Sequence, residues 1–344
     1  MLFKKQPLLY LEFLERRIRY LAIDAHSGKV LEKSEILFDN DILHEERIID
    51  PALLENRLNA LVTEKKWKNA QASILLPDNF VIVREEKVPI QLELSEIKAY
   101  VALHMGQSIR SPFKETRFHF EVLEVGDKEQ TILLMLYPQE IILQYESLLQ
   151  KVSLNPIVAD ISSLCLYRII KQQGELQLDA NKHVMVLQWS TVNNTIMIFN
   201  EDLPKLSRQS RLTRLIELWD VNSDGEPIWN EDYESLEEAI AETLDVLERL
   251  LEFYRYSVMN GESGVTDIYL TGDFPNLEKV KEQFSERFFQ PIHILEVSND
   301  ITSKYLPLYG LAMKEEKKVV LSRSVNKKKE KRVGKKRKEG NKYV

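Results

Sequence analysis

A chain of 344 residues, 44% hydrophobic and 29% charged, is long enough for two domains with sizeable cores. Its single cysteine, Cys165, excludes an intrachain disulfide and a CxxC zinc site, and no stretch approaches the roughly 18 uncharged apolar residues of a membrane span. Its 11 glycines, about 3% of the chain against roughly 7% ordinarily, leave few loops able to close backbone N–H groups on a phosphate.

The formal charge of −7 conceals an asymmetry: Lys327–Val344 carries ten Lys/Arg and two Glu, a balance of +8, which leaves −15 on the rest. An acidic body and a basic tail have separate chemistry. At the other end, the apolar run Pro7–Phe13 is interrupted by Glu12 and ends in Glu15-Arg16-Arg17, unlike a secretory signal.

In chain order, Leu8–Leu14 and Ile18–Asp24 read as two strands around a tight charged turn, and Val30–Phe38 as a third. Leu53, Leu54, Leu58 and Leu61 place a helix over Pro51–Val62. Gln71–Pro89 gives two strands separated by Pro77-Asp78-Asn79. Ser95 then sits near the start of an amphipathic helix in which Ile97, Val101, His104 and Met105 share a face. The alternation in Thr116–Val125 predicts a half-buried strand, Gly126-Asp127 a turn, Thr131–Tyr137 an apolar strand and Gln139–Val152 a helix stopped before Pro156. Ile157–Leu164 reads as a strand returning to the first domain, and Lys171–Lys182 as a polar linker.

His183–Phe199 repeats the two-strand pattern that opens the chain. Ser235–Val258 is the clearest helix, with Leu236, Ile240, Leu244, Leu247, Leu251, Tyr254 and Val258 on one face and a capping box from Ser235 and Glu238. Strand Ile268–Thr271, helix Asn276–Phe288 and a last helix over Tyr305–Met313 complete the pattern. Beyond Lys314 the composition is that of a disordered tail.

Two halves that each open with strand–turn–strand, with a late strand–Gly–helix in Asp267–Phe284, resemble the duplicated actin/Hsp70-like fold. The order of elements is similar to the PilM family, the cytosolic actin-like component of type IV pilus assembly. Leu76-Pro77-Asp78, Val83-Arg84, Tyr137-Pro138-Gln139-Glu140 and Pro156-Ile157-Val158-Ala159-Asp160-Ile161 fall in register with that family's inserted small subdomain and the segment after it. Their order and spacing carry the resemblance, not any one motif. It implies an α/β, duplicated (ribonuclease H-like) two-domain fold with an inserted small α+β subdomain. The first domain would be 1–178 with the insert at about 72–155, and the second 179–313 with a reduced outer subdomain. A basic tail, 314–344, would follow.

The resemblance also places three nucleotide-binding turns, each altered. In the first, Glu12, Phe13 and Leu14 stand where the family has Asp-Ile-Gly. Glu12 is able to hold magnesium through water, but the branched Leu14 fills space that a phosphate needs. In the second, Gln188-Trp189-Ser190 replaces Asp-Ile-Gly, so a neutral amide stands in for a carboxylate and Ser190 lacks the freedom of glycine. In the adenosine turn Gly272-Asp273 replaces Gly-Gly and sets a carboxylate toward an anionic ligand. The Arg-x-x-x-Gly-Gly stretch is missing, since Ser207-Arg208 runs into Gln209-Ser210-Arg211. Together these read as remnants of a site on a fold kept by its core.

Within the body of the chain each sharp reading has a bland competitor that is favoured. Glu12 is more readily a polar strand residue than a magnesium ligand, and Trp189 more readily packing than a stacking platform. His26, His44, His104, His119, His183 and His293 show no ligand spacing, and no GxSxG or Ser–His–Asp signature occurs. Cys165, in the apolar run Leu164–Ile170, reads as an inert buried thiol. For the basic tail, attraction to anionic lipid and a solubilising role weigh equally, and nucleic acid is disfavoured.

The resemblance therefore implies a non-enzymatic cytosolic scaffold of a type IV pilus, competence or type II secretion-like machine, peripheral at the inner face of the cell membrane. Its partner would be the cytoplasmic tail of a PilN-like single-pass membrane protein, with pilus motor ATPases as further partners and no cofactor. The tail peptide would lie between the first domain's core and the insert, against Leu76, Val81, Val83, Ile97 and Val101. The alternative is a divergent ATP-binding actin-like ATPase or kinase using Mg-ATP at the three turns. An actin-like filament former is a third reading.

Overall fold

The computed structural model describes residues 6–174, 181–212, 219–222, 227–229, 233–297 and 301–314. Strands β1 (Leu8–Leu14), β2 (Arg17–Ile23) and β3 (Val30–Leu37) form an antiparallel meander. A small hairpin, β4 (Leu43–His44) and β5 (Arg47–Ile48), precedes helix α1 (Pro51–Glu64). Asp50 caps α1 by accepting from the Leu53 N–H at 2.9 Å, and Pro51 fits the first turn because its missing N–H would find no partner there. The helix crosses to β6 (Gln71–Leu76), parallel to β1.

The insert follows: β7 (Ile82–Pro89), α2 (Leu94–His104), β8 (Thr116–Val125) and β9 (Glu129–Pro138), a three-stranded sheet in the order β7-β9-β8. Helix α3 (Gln139–Lys151) leads to β10 (Asn155–Ile161), parallel to β6, which completes a sheet ordered β3-β2-β1-β6-β10. Helix α4 (Ser162–Gln172) leads toward the second half.

There the pattern repeats. Strands β11 (His183–Trp189), β12 (Asn193–Asn200) and β13 (Leu203–Arg211) are antiparallel. A hairpin, β14 (Trp219–Val221) and β15 (Pro227–Trp229), and the long helix α5 (Tyr233–Phe253) come next. Strand β16 (Asp267–Thr271), helix α6 (Leu277–Arg287) and β17 (Ile292–Ile294) give the order β13-β12-β11-β16-β17, the same topology as the first sheet. Helix α7, residues 306–314, ends the described chain.

One core joins the halves. Leu166, Ile169 and Ile170 of α4 and Leu308 and Leu311 of α7 pack with the first sheet and with Val184, Val186, Met197, Phe199 and Tyr269 of the second. Tyr167 stacks on Phe199 at 3.9 Å. The two helices cross so closely that a Cβ on Gly310 would stand 2.2 Å from the Cys165 carbonyl oxygen. A second core lies between the second sheet and helices α5 and α6, where Leu236, Ile240, Leu244 and Leu247 meet Met185, Leu187 and Trp189. A third fills the insert.

Three expectations shift. The insert proper is narrower than 72–155, because β6 and α3 belong to the first sheet and the shared core. Helix α2 keeps Ser95 near its start, as expected, and is capped by Glu93, with the Glu93 N–H donating to Glu96 at 2.8 Å. Helix α5 starts before Ser235, which therefore lies inside it and is no cap. The expected linker is helical up to Gln172, and residues 175–180, like the basic tail from 315 onward, lie outside the described residues.

Candidate functional site

A cavity of about 920 Å³ opens between the two halves, where all three sequence-predicted turns converge. Leu14 and Arg17 line it from the β1–β2 turn, Leu76 and Asp78 from the end of β6, Ser190 from the β11–β12 turn, and Gly272-Asp273 from the end of β16. The duplicated topology brings the strand ends together, as in other α/β sheets whose sites lie beyond the carboxyl ends of their strands.

In the first turn the tight two-residue link pairs Glu12 directly with Arg19 across the hairpin. The Arg19 guanidinium donates to Glu12 Oε2 at 3.0 Å, to Glu35 Oε1 at 2.8 Å, to Asp273 Oδ2 at 3.0 Å and to the Lys304 carbonyl at 2.7 Å. Arg19 is 3% exposed. Burial works against its charge, but Glu12, Asp273 and Glu35 outweigh it and hold the guanidinium protonated. Burial pushes the Glu12 carboxyl up to about 7, with Arg19 opposing and Asp273 adding to the rise. Sequence reasoning singled out Glu12 but missed Arg19. The signal was present: an arginine inside the apolar strand Arg17–Ile23, in hairpin register with a glutamate.

In the second turn Gln188 donates to Ser163 Oγ at 3.1 Å. Ser163 belongs to a tight cluster in which Asp78 accepts four hydrogen bonds, from the Ser162 N–H (3.0 Å) and hydroxyl (2.7 Å) and the Ser163 N–H (3.1 Å) and hydroxyl (2.6 Å). Burial raises the Asp78 pKa, and the two serines oppose that rise. Asp78 thus closes the N-terminus of α4, where unpaired N–H groups and the helix dipole favour a carboxylate. Trp189 is fully buried and sits 6.0 Å from Phe274 in the second core, a packing residue.

The adenosine turn keeps its first glycine for steric reasons. Gly272 has φ +130, and a Cβ there would lie 2.0 Å from the Trp189 carbonyl oxygen. The Phe274 N–H donates to that same oxygen at 3.2 Å. Asp273 reaches back across the cavity to Arg19, while its Oδ1 is buried with no hydrogen-bond partner.

A further acidic residue, unremarked in the sequence, also crosses between the halves. Glu46, in the β4–β5 turn, accepts from Gln209 of β13 and from Asn193 Nδ2 at 3.5 Å. Burial pushes its carboxyl up to about 7, with the Gln209 hydrogen bond opposing. Nearby, Arg211 donates to Glu15 at 2.6 Å.

The predicted peptide wall is divided. Leu76 lines the cavity, while Val81 and Val83 are half-buried and do not line it. Ile97 and Val101 are fully buried against Ile132, Leu134 and Leu136 in the core of the insert, so they present no surface to a peptide. Helical periodicity identified their shared face correctly, but that face packs inward.

The residues present do not fit a magnesium nucleotide. Glu12 is held by a guanidinium, Gln188 presents an amide that donates to a serine, and Leu14 occupies the phosphate turn. Among the described residues no group of three or more His, Cys, Asp or Glu is placed to hold a metal ion.

The family model described as Type IV pilus assembly protein PilM matches residues 16–211, more than half of the chain. No curated protein matches. Among solved structures, a chain of a PilM-PilN type IV pilus biogenesis complex aligns with a TM-score of 0.68 at 16% identity, covering 89% of this chain and 98% of that one. A protein with an actin-like ATPase fold from Bacteroides thetaiotaomicron aligns at TM-score 0.42 and 13% identity, covering 90% of this chain and 96% of that one. The cytoplasmic domain of EpsL, an inner-membrane component of the type II secretion system of Vibrio cholerae, aligns at 0.41 and 10%, covering 90% and 94%. With its duplicated α/β topology, the chain has the actin-like fold and belongs to the family of the type IV pilus assembly protein PilM.

Proposed function

We propose that the protein is a non-enzymatic scaffold of a type IV pilus, competence or type II secretion-like machine that binds the cytoplasmic tail of a PilN-like membrane protein. Family membership over residues 16–211, and the likeness to a chain solved in a PilM-PilN complex, support the assembly role. The non-enzymatic half rests on the Arg19–Glu12 pair, which places a buried cation on the carboxylate of the first turn. Among the described residues no helix is long and apolar enough to cross a membrane, so attachment to the inner face of the membrane would come through the partner. The basic segment Lys327–Val344 adds attraction to anionic lipid and is a second contact with that surface.

An extended tail would lie between the first sheet and the insert, starting from Leu76, Pro77 and Phe80, which also line the cavity between the halves. Such binding gains backbone hydrogen bonds and a few apolar anchors against the ordering cost of the peptide. Fluorescence anisotropy with a labelled peptide of the partner's cytoplasmic tail tests this. Saturable binding weakened by Leu76→Asp supports it, and no binding at high micromolar concentration contradicts it. A cavity of about 920 Å³ also favours a small-ligand reading, a divergent Mg-ATP site, which a nucleotide titration addresses.

A further inference from the structure

The cleft of an open two-half fold is ordinarily spanned by what binds in it. Here it is spanned by a side chain. Arg19 extends from β2 of the first half and meets Asp273, on the turn after β16 of the second half, at 3.0 Å. Its other contacts fix its position: Glu12 and Glu35 on the two neighbouring strands, and the Lys304 carbonyl just before α7. Lys304 Nζ returns to Glu35 Oε2 at 3.1 Å, and Arg17 stands 3.7 Å from Glu35. Three acidic side chains thus face three basic ones in this cluster.

The geometry favours a built feature over an incidental ion pair. Four hydrogen bonds converge on one guanidinium from four separate segments of chain, which uses most of its five N–H donors. Arg19 is buried, as an incidental surface pair is not. Asp273 leaves its second oxygen buried and unpartnered, a cost tolerated only where the other oxygen has a compensating partner.

We propose that Arg19 is an internal substitute for a cleft ligand: a tethered cation that clamps the two halves together through Asp273, so that the scaffold is closed without nucleotide. The clamp rests on the reading that the three turns hold no Mg-ATP. It deepens the proposed function by making closure a constant property rather than a switched one. A clamped cleft presents one fixed surface to a partner, and binding then carries no conformational penalty.

The test is the distance distribution between spin labels on cysteines introduced at exposed Asp127 in the insert and Glu262 in the second half, in the full chain, where buried Cys165 stays unlabelled. The unmodified pair should give one narrow distribution that millimolar Mg-ATP does not alter. Asp273→Asn, which leaves the first-half contacts of Arg19 in place, should broaden it. Asp273→Lys, which sets two cations face to face, should shift it to longer distances. The double change Arg19→Met with Glu12→Gln removes cation and acid together and should broaden it without leaving a buried unpaired charge. An unchanged distribution in all three variants overturns the clamp. If Mg-ATP narrows the unmodified distribution, the nucleotide-free reading fails instead, whatever the variants do.

Discussion

At the scale of single residues, the acids in the cleft make the boldest statements. Glu46 is raised to about 7 by burial, above the usual 4.5 that it recovers in the unfolded chain. A group with a raised folded pKa contributes stability that is complete below about 4.5 and lost as pH rises through about 7. Glu46→Gln keeps the shape and removes the charge. Its stability relative to the parent should therefore improve from pH 5 to pH 8 by about 1–3 kcal/mol in urea unfolding. A difference that does not vary with pH would rule out Glu46 as the source. Gly272 makes a separate prediction, since its Cβ would strike the Trp189 backbone. Gly272→Ala should cost about 3 kcal/mol or more with no nucleotide present. A near-neutral result would mean that packing is not what keeps this glycine. Sequence reasoning found Glu12, Gln188 and Gly272-Asp273 through their turns. It missed Arg19 and Glu46, because what they touch lies on segments far away in the chain.

At the scale of elements, periodicity was a sound guide wherever a strand or helix faces a core on one side. The meander of β1 to β3, helix α1, the apolar strand β9 and the long helix α5 all lie close to where apolar spacing puts them. Boundaries that depend on caps were harder. Residues before Ser235 start α5, so the capping box read at Ser235 and Glu238 does not begin it. The extent of the insert was illegible for another reason: strand pairing decides it, and only the pairing of β6 with β1 and β10 shows that the insert begins later. The Leu-Pro-Asp motif gains a physical role at this scale. Asp78 caps α4 with four hydrogen bonds, and α4 carries the core shared by both halves. An exposed cap is worth about 1 kcal/mol. Asp78→Ala leaves two buried hydroxyls and two helix N–H groups without their acceptor and should cost about 3–5 kcal/mol. Asp78→Asn should cost less, because one side-chain oxygen still accepts. Equal losses for the two variants would contradict the capping role.

At the scale of the whole molecule, duplicated topology and local chemistry have parted. Two sheets of identical order, one shared core and the family match keep the actin-like frame. The strand ends that line the cleft hold each other, through Arg19–Asp273, Arg211–Glu15 and Gln209–Glu46. Packing of strands and central helices sets the frame, and that packing is indifferent to what the turns bind. Truncation after Lys314 should leave the fold and peptide binding intact while abolishing attachment to anionic liposomes, measured by sedimentation. Undiminished sedimentation would assign membrane contact elsewhere.

The central claim, a scaffold whose nucleotide turns are structural, is tested most directly by calorimetric and thermal-shift titration of the full chain with Mg-ATP. Ligand binding raises stability as RT ln(1 + [L]/Kd), so millimolar nucleotide reports even a weak site. The account predicts no binding heat and no change in Tm. A saturable shift, abolished by Gln188→Ala, would contradict it and return the cleft to a working nucleotide site.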